Sequence, residues 1–145
     1  MLNILIVDDE LPAIEAIRQR VHWTDQGIEK VFVADSAQAA REMFEREDIQ
    51  LLLCDIEMPG EDGIDLIRWV TGQALDCECL FLTCHADFKY AQEAIKLGVS
   101  DYILLPARYG EIAKSVQKAI DRRNARQDRE EIYQYGQKWL DTQTA

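Results

Sequence analysis

Leu51-Leu52-Leu53-Cys54-Asp55 is the stretch that decides the fold. Four apolar residues stand on consecutive positions, so neither side of this segment suits water. Successive side chains of a strand point to opposite faces, and a strand apolar on both belongs in a sheet covered on both sides. The first polar residue after it is an aspartate, at what becomes the carboxyl end of the strand. Similar short β-rich runs occur at Leu2–Val7, Lys30–Ala34, Leu80–Leu82 and Asp101–Leu104.

Between these runs the apolar spacing changes to three and four residues, the period of a helix with one buried stripe. Leu11, Ile14, Ile17 and Val21 form the first stripe. Ala40, Met43 and Phe44 form the second, with Asp35 or Ser36 as its N-cap. Ile64, Ile67 and Val70 form the third; Phe88, Ala91 and Ile95 form the fourth, closed by Gly98. Ile112, Val116, Ala119 and Ile120 form the fifth. Five strands alternating with five helices predict an α/β fold, a doubly wound five-stranded parallel sheet with helices on both faces.

The chain has 145 residues, 27 of them Asp or Glu against 16 Lys or Arg, and its formal charge of -11 disfavours binding nucleic acid or anionic membrane by bulk charge. No apolar run approaches the ~18 residues of a membrane span. The start of the chain, Met1–Val7 running into Asp8-Asp9-Glu10, has no basic leader segment, so the cytoplasm is the expected location. Cys54, Cys77, Cys79 and Cys84 lack zinc-ligand spacing and read as reduced structural thiols. His22 and His85 read as surface or rim residues. No phosphate-cradling glycine loop follows any strand, which removes a nucleotide-binding role.

After Ile120 the composition changes. Charged and polar residues dominate from Asp121 to Glu131, including Arg122, Arg123, Arg126 and Arg129, and apolar spacing resumes at Ile132, Tyr135, Trp139 and Leu140. Two readings stand: a helix running past the core into solvent, or a linker helix that pairs with a second copy or leads to another domain. Acids interleave the arginines, which argues against a nucleic-acid patch.

In an open parallel sheet, functional groups gather at the carboxyl ends of the strands. The first strand ends in Asp8-Asp9 and the third in Asp55. If those strands are neighbours, three carboxylates converge, an arrangement unfavourable without a compensating cation. An all-oxygen ligand set suits Mg²⁺ or Mn²⁺. Asp8 or Asp9 alone also fits as a cap for the helix near Leu11-Pro12. The fourth strand ends in Thr83, the fifth carries Tyr102, and the turn Ile56–Gly63 can aim a backbone carbonyl at a cation.

These residues carry a family resemblance. Asp8-Asp9, Asp55 followed by Met58-Pro59 and Gly63, Thr83, and Asp101-Tyr102-Ile103-Leu104 before a proline resemble the receiver domains of two-component response regulators. Phe88–Tyr102 and the early Trp23 are most similar to receivers of AraC-type transcriptional regulators. The resemblance spans about residues 2–120 and implies a flavodoxin-like three-layer sandwich, a receiver domain at 1–121 and a helical tail or linker at 122–145 towards an effector domain.

The resemblance also implies roles. Asp55 is the expected phosphoacceptor, taking phosphate from a sensor histidine kinase, and the chain catalyses at most its own phosphorylation and dephosphorylation. Asp8, Asp9, Asp55 and the backbone carbonyl of Glu57 are the expected ligands of Mg²⁺ or Mn²⁺. Thr83 contacts the phosphoryl group and Tyr102 follows it as a switch. A homodimer through the fourth helix, fifth strand and fifth helix is implied as well, as is control of transcription through an effector. One position departs from the family pattern: Leu105 stands where a lysine is expected before Pro106. Arg108 is the nearby candidate to replace that charge. Leu105 supports an alternative, a receiver-like interaction module that works without phosphorylation.

Overall fold

The computed structural model describes residues 1–144. Five strands, β1 (Leu2–Val7), β2 (Ile28–Ala34), β3 (Leu51–Cys54), β4 (Glu78–Thr83) and β5 (Asp101–Leu104), alternate with α1 (Leu11–Arg20), α2 (Ala37–Arg46), α3 (Gly63–Gly72), α4 (Phe88–Leu97) and α5 (Tyr109–Thr144). A 3₁₀ turn at Trp23–Gln26 precedes β2. All pairings are parallel, in the order β2-β1-β3-β4-β5.

β3 behaves as its composition requires. Leu51 and Leu53 pack with Ile4, Ile6, Leu80 and Leu82 under α1 and α5. Leu52 and Cys54 pack with Leu5, Val7 and Phe81 under α2, α3 and α4. The alternation of one four-residue strand therefore feeds two separate cores, and the sheet is the middle of three layers. Ser36 caps α2 by accepting from the Ala39 amide at 3.1 Å, and Gly98 ends α4 at φ 72°.

Three expectations need correction. β2 starts at Ile28 rather than Lys30, because Ile28 is buried directly after the left-handed Gly27. β4 runs from Glu78 to Thr83, longer than Leu80–Leu82. A carboxylate can open that buried strand because Arg126 pairs with it and Ser100 Oγ donates to it at 2.6 Å. The third concerns α4, where Phe88 and Ile95 are 76% and 80% exposed. Its inner face is instead Ala94 with Tyr90 and Leu97. The helix carries two apolar stripes, and the one that is easier to read faces outwards.

α5 packs on the sheet through Ile112, Val116, Ala119 and Ile120 and then continues as one helix. The arginines of the charged segment hold it down. Arg123 pairs with Asp76 at 3.0 Å, Arg126 bridges Asp76 and Glu78, and Arg122 donates to the Gly98 carbonyl at 3.1 Å. These three are paired with acceptors of the protein's own loops and of the start of β4. No described helix is long and apolar enough to cross a membrane.

Candidate functional site

β1 is flanked by β2 on one side and β3 on the other, so the chain reverses direction across the sheet between the carboxyl ends of β1 and β3. Val7 is in register with Cys54, and the Asp55 amide donates to the Val7 carbonyl at 2.9 Å. Asp8 and Asp55 thus leave adjacent strands side by side. One carboxylate oxygen from each of Asp8, Asp9 and Asp55 lies within 4.8 Å of the others. Asp8 is buried, Asp55 half-buried and Asp9 exposed.

Burial, with the charge of Asp8 next in weight and that of Asp9 behind it, pushes the Asp55 pKa up to about 7. Asp8 is pushed up to about 6, again by burial first. The cluster is therefore held against its own repulsion. Helix capping does not account for it. Asp8 Oδ1 accepts from the Glu10 amide at 3.0 Å, and the N-cap of α1 is Glu10, which makes no side-chain cap bond.

The turn after Asp55 is built tightly against it. Asp62 caps α3 by accepting from the Asp65 amide at 2.9 Å. A Cβ on Gly63 would lie 2.0 Å from the Asp55 carbonyl oxygen, so only glycine lets α3 start there. The acids open into a cleft of about 260 Å³ whose other walls include Glu57, His85 and Leu105.

Thr83 and Tyr102 are near the cleft without lining it. Thr83 is fully buried and its Oγ1 accepts from the His85 amide at 3.1 Å. The Tyr102 hydroxyl donates to the His85 carbonyl at 2.9 Å, and its ring meets Phe81 edge-on at 6.4 Å. Both side chains thus hold the backbone of His85 in the β4–α4 loop, Thr83 through its amide and Tyr102 through its carbonyl.

Residues 4–117 match the family model of the response regulator receiver domain. The chain belongs to this family. The receiver is 36% identical over 126 residues to the transcriptional regulatory protein NatR of Bacillus subtilis, covering 85% of this chain and 52% of NatR. It is 29% identical over 120 residues to the uncharacterized transcriptional regulatory protein YesN of the same species, covering 83% of this chain and 33% of YesN. The chain thus spans between a third and about half of these two relatives. Among solved structures, the receiver domain of AraT, a response regulator from Geobacillus stearothermophilus, aligns with a TM-score of 0.79 at 32% identity, covering 87% of this chain and 98% of that one. A CheY-like receiver from Methanospirillum hungatei, 21% identical, covers 87% of this chain and 98% of its own with a TM-score of 0.78, a likeness of fold.

Two features of the receiver's cleft go beyond the expected motif. No Lys or Arg is among its described lining residues, and Leu105 forms part of its wall. Arg108 lines a different groove, between α1 and the start of α5, and so does not stand in for the missing lysine. The imidazole at the rim belongs to His85, whose Nε2 lies 2.8 Å from Glu57 Oε2. The Tyr90 hydroxyl donates to the other Glu57 oxygen at 2.9 Å, which pushes the phenol up to about 12. Read alone, His85 is one of two rim histidines; its pairing depends on a glutamate 28 positions earlier that only the fold brings to it.

Proposed function

We propose that this receiver is a phosphorylatable switch in which Asp55 accepts a phosphoryl group from a sensor histidine kinase. The observation that carries the reading is the convergence of Asp8, Asp9 and Asp55 within 4.8 Å at the switch point of the sheet, two of them with raised pKa. An all-carboxylate set with room for water suits a hard divalent cation. Asp8, Asp9, Asp55 and the backbone carbonyl of Glu57 would hold Mg²⁺ or Mn²⁺. Bound there, the ion supplies charge neutralisation for the phosphoryl oxygens.

Asp55 reacts as the carboxylate. One of its oxygens forms the new P–O bond while the P–N bond of the donor phosphohistidine breaks, and the leaving imidazole keeps the bonding pair. The chain then acts only on itself, catalysing at most its own phosphorylation and dephosphorylation.

Thr83 couples this event to the surface. Thr83 does not line the cleft, so reaching a phosphoryl oxygen moves its hydroxyl, and the His85 amide bonded to that hydroxyl is pulled along or released. The carbonyl of the same residue, His85, accepts from Tyr102, so movement of the β4–α4 loop frees that ring. The affected face presents Phe88 and Ile95 on α4 beside Leu104 on the edge strand β5, 76%, 80% and 47% exposed. This is the surface we assign to a homodimer through α4, β5 and α5. Residues 1–121 would be the switch and 122–145 a helical linker towards an effector that controls transcription, in the cytoplasm.

The test is incubation with a small phosphoryl donor and Mg²⁺, read by intact mass. One phosphoryl addition is expected on the wild type and none on Asp55→Ala. A second reading is kept because of one observation: the cleft wall at Leu105 is apolar and unrelieved by Arg108. In that case the chain is a receiver-like interaction module, and the wild type stays unmodified even with its kinase.

A further inference from the structure

Beyond Gln127, α5 leaves the domain. Ile132, Tyr135 and Trp139 on this stretch are 71%, 74% and 55% exposed. A free helix of this length is marginal in water, and its apolar stripe would normally be covered. The half of α5 that packs on the sheet uses Ile112, Val116, Ala119 and Ile120. At 3.6 residues per turn, the Ile132–Trp139 stripe points roughly 150° away from that face. It cannot reach its own core while the helix is continuous. The clamp of Arg122, Arg123 and Arg126 on Gly98, Asp76 and Glu78 fixes the helix just before it departs.

We propose that this segment pairs in register with the same segment of a second copy of the chain, as a short two-stranded coiled coil seamed by Ile132, Tyr135 and Trp139. Steps of three and four place these residues at alternating a and d positions. A two-fold interface needs a stripe that matches itself, and this one does. The flanking positions raise no barrier. In register, Glu131 meets Gly136 across the seam and Arg129 meets Asn124, so no like charges oppose at these flanking positions. A membrane surface fits poorly, because the opposite face carries Glu130, Gln134 and Asp141 rather than a row of bases. The seam ends where Asp128 occupies a d position, which limits it to the helix tip.

Six such side chains, at the exposures given, can remove at most roughly 800 Å² from water in total, at the low end for a specific interface. The dimer is accordingly weak and concentration-dependent. Sedimentation equilibrium of the whole chain from roughly 5 to roughly 500 µM tests it. The average mass should climb from 16.7 kDa towards twice that value. Ile132→Glu and Trp139→Glu, at exposed positions that leave the core alone, should weaken association at least about tenfold. Gln134→Glu, on the opposite face, should not change it. The proposal is overturned if the wild type stays monomeric throughout, or if it dimerises and Trp139→Glu does so equally well. It is overturned too if Ile95→Glu on α4 abolishes association while Trp139→Glu does not, which would place the contact on the other face. The outcome is independent of whether Asp55 is phosphorylated.

Discussion

Replacing Asp55 by asparagine should make the receiver more stable at neutral pH. Burial and the charges of Asp8 and Asp9 raise the Asp55 pKa from 3.8 to about 7. A carboxyl whose pKa is higher in the folded chain binds its proton more tightly there. Its contribution to stability is complete below about pH 4 and is lost as the pH rises through 7. Acting alone, a rise of that size corresponds to about 4 kcal/mol. Asp8, itself raised to about 6, shares the same repulsion, so on the order of 2 kcal/mol is assigned to the Asp55 charge above pH 8. Asparagine removes the charge, keeps the volume, and can still accept the hydrogen bond from the Ile56 amide.

For a chain of this size, 2 kcal/mol is about 6 °C in Tm. Thermal and urea unfolding from pH 4 to 8.5 in the presence of a chelator would measure it. The wild-type midpoint should fall between pH 4 and 8 more steeply than that of Asp55→Asn, the two curves meeting at the acid end. Adding Mg²⁺ at ten times its Kd should restore about 1.4 kcal/mol to the wild type and less to the variant. A variant that is no more stable than wild type at pH 8 without metal, or whose pH dependence runs parallel, would refute the account of the cluster as a repulsive one.

Three further outcomes are expected. Gly63→Ala should cost about 3 kcal/mol by urea unfolding and weaken Mg²⁺ binding, because the new Cβ falls 2.0 Å from the Asp55 carbonyl oxygen; a neutral substitution would mean that the turn yields freely. Arg126→Ala should destabilise by about 2–3 kcal/mol, since Glu78 is only 3% exposed and would keep a single guanidinium, Arg122, at 3.6 Å. A loss below about 0.5 kcal/mol would show the clamp to be solvated decoration. Leu105→Lys should speed phosphorylation from a small donor by on the order of tenfold to a hundredfold, read as the rate of mass addition; an unchanged rate and lifetime would show that Leu105 does not handicap the site.

How much of this was legible in the sequence depended on whether the signal was local. β3 declared its surroundings because four apolar residues in a row admit few other environments. The convergence of Asp8, Asp9 and Asp55 was legible because strand ends are local and the sheet order brings two of them together. α4 misled because Phe88, Ala91 and Ile95 have helical spacing as regular as that of a core stripe, yet Tyr90, Ala94 and Leu97 face inwards. Periodicity reports that a face is apolar and says nothing about what covers it. Glu78 was unreadable as a strand residue because its partners lie 22 to 48 positions away, at Ser100 and Arg126. The pairing of His85 with Glu57 was hidden for the same reason.

Leu105 changes the charge balance of the site. It lines the acidic cleft and also the apolar groove between α1 and α5, about 560 Å³ in volume, and it packs against the core beneath them. A lysine at this position would bring an ammonium to the three carboxylates and hold Asp55 ionised without help. With leucine there, and His85 engaged by Glu57, no Lys or Arg among the described lining residues does this. With its pKa raised to about 7 by burial and the charge of Asp8, Asp55 would be a weaker nucleophile near neutral pH than an ordinary, fully ionised carboxylate. A divalent cation in the cluster would then be the remaining source of compensation, and on the proposed function it would act on the charge state of the nucleophile as well as on the phosphoryl group. Phosphorylation of this receiver should therefore depend on Mg²⁺ concentration more steeply in the wild type than in Leu105→Lys, and the difference should narrow above pH 8, where Asp55 is ionised in both. Equal Mg²⁺ dependence at pH 6.5 would show that the leucine leaves the charge of Asp55 untouched.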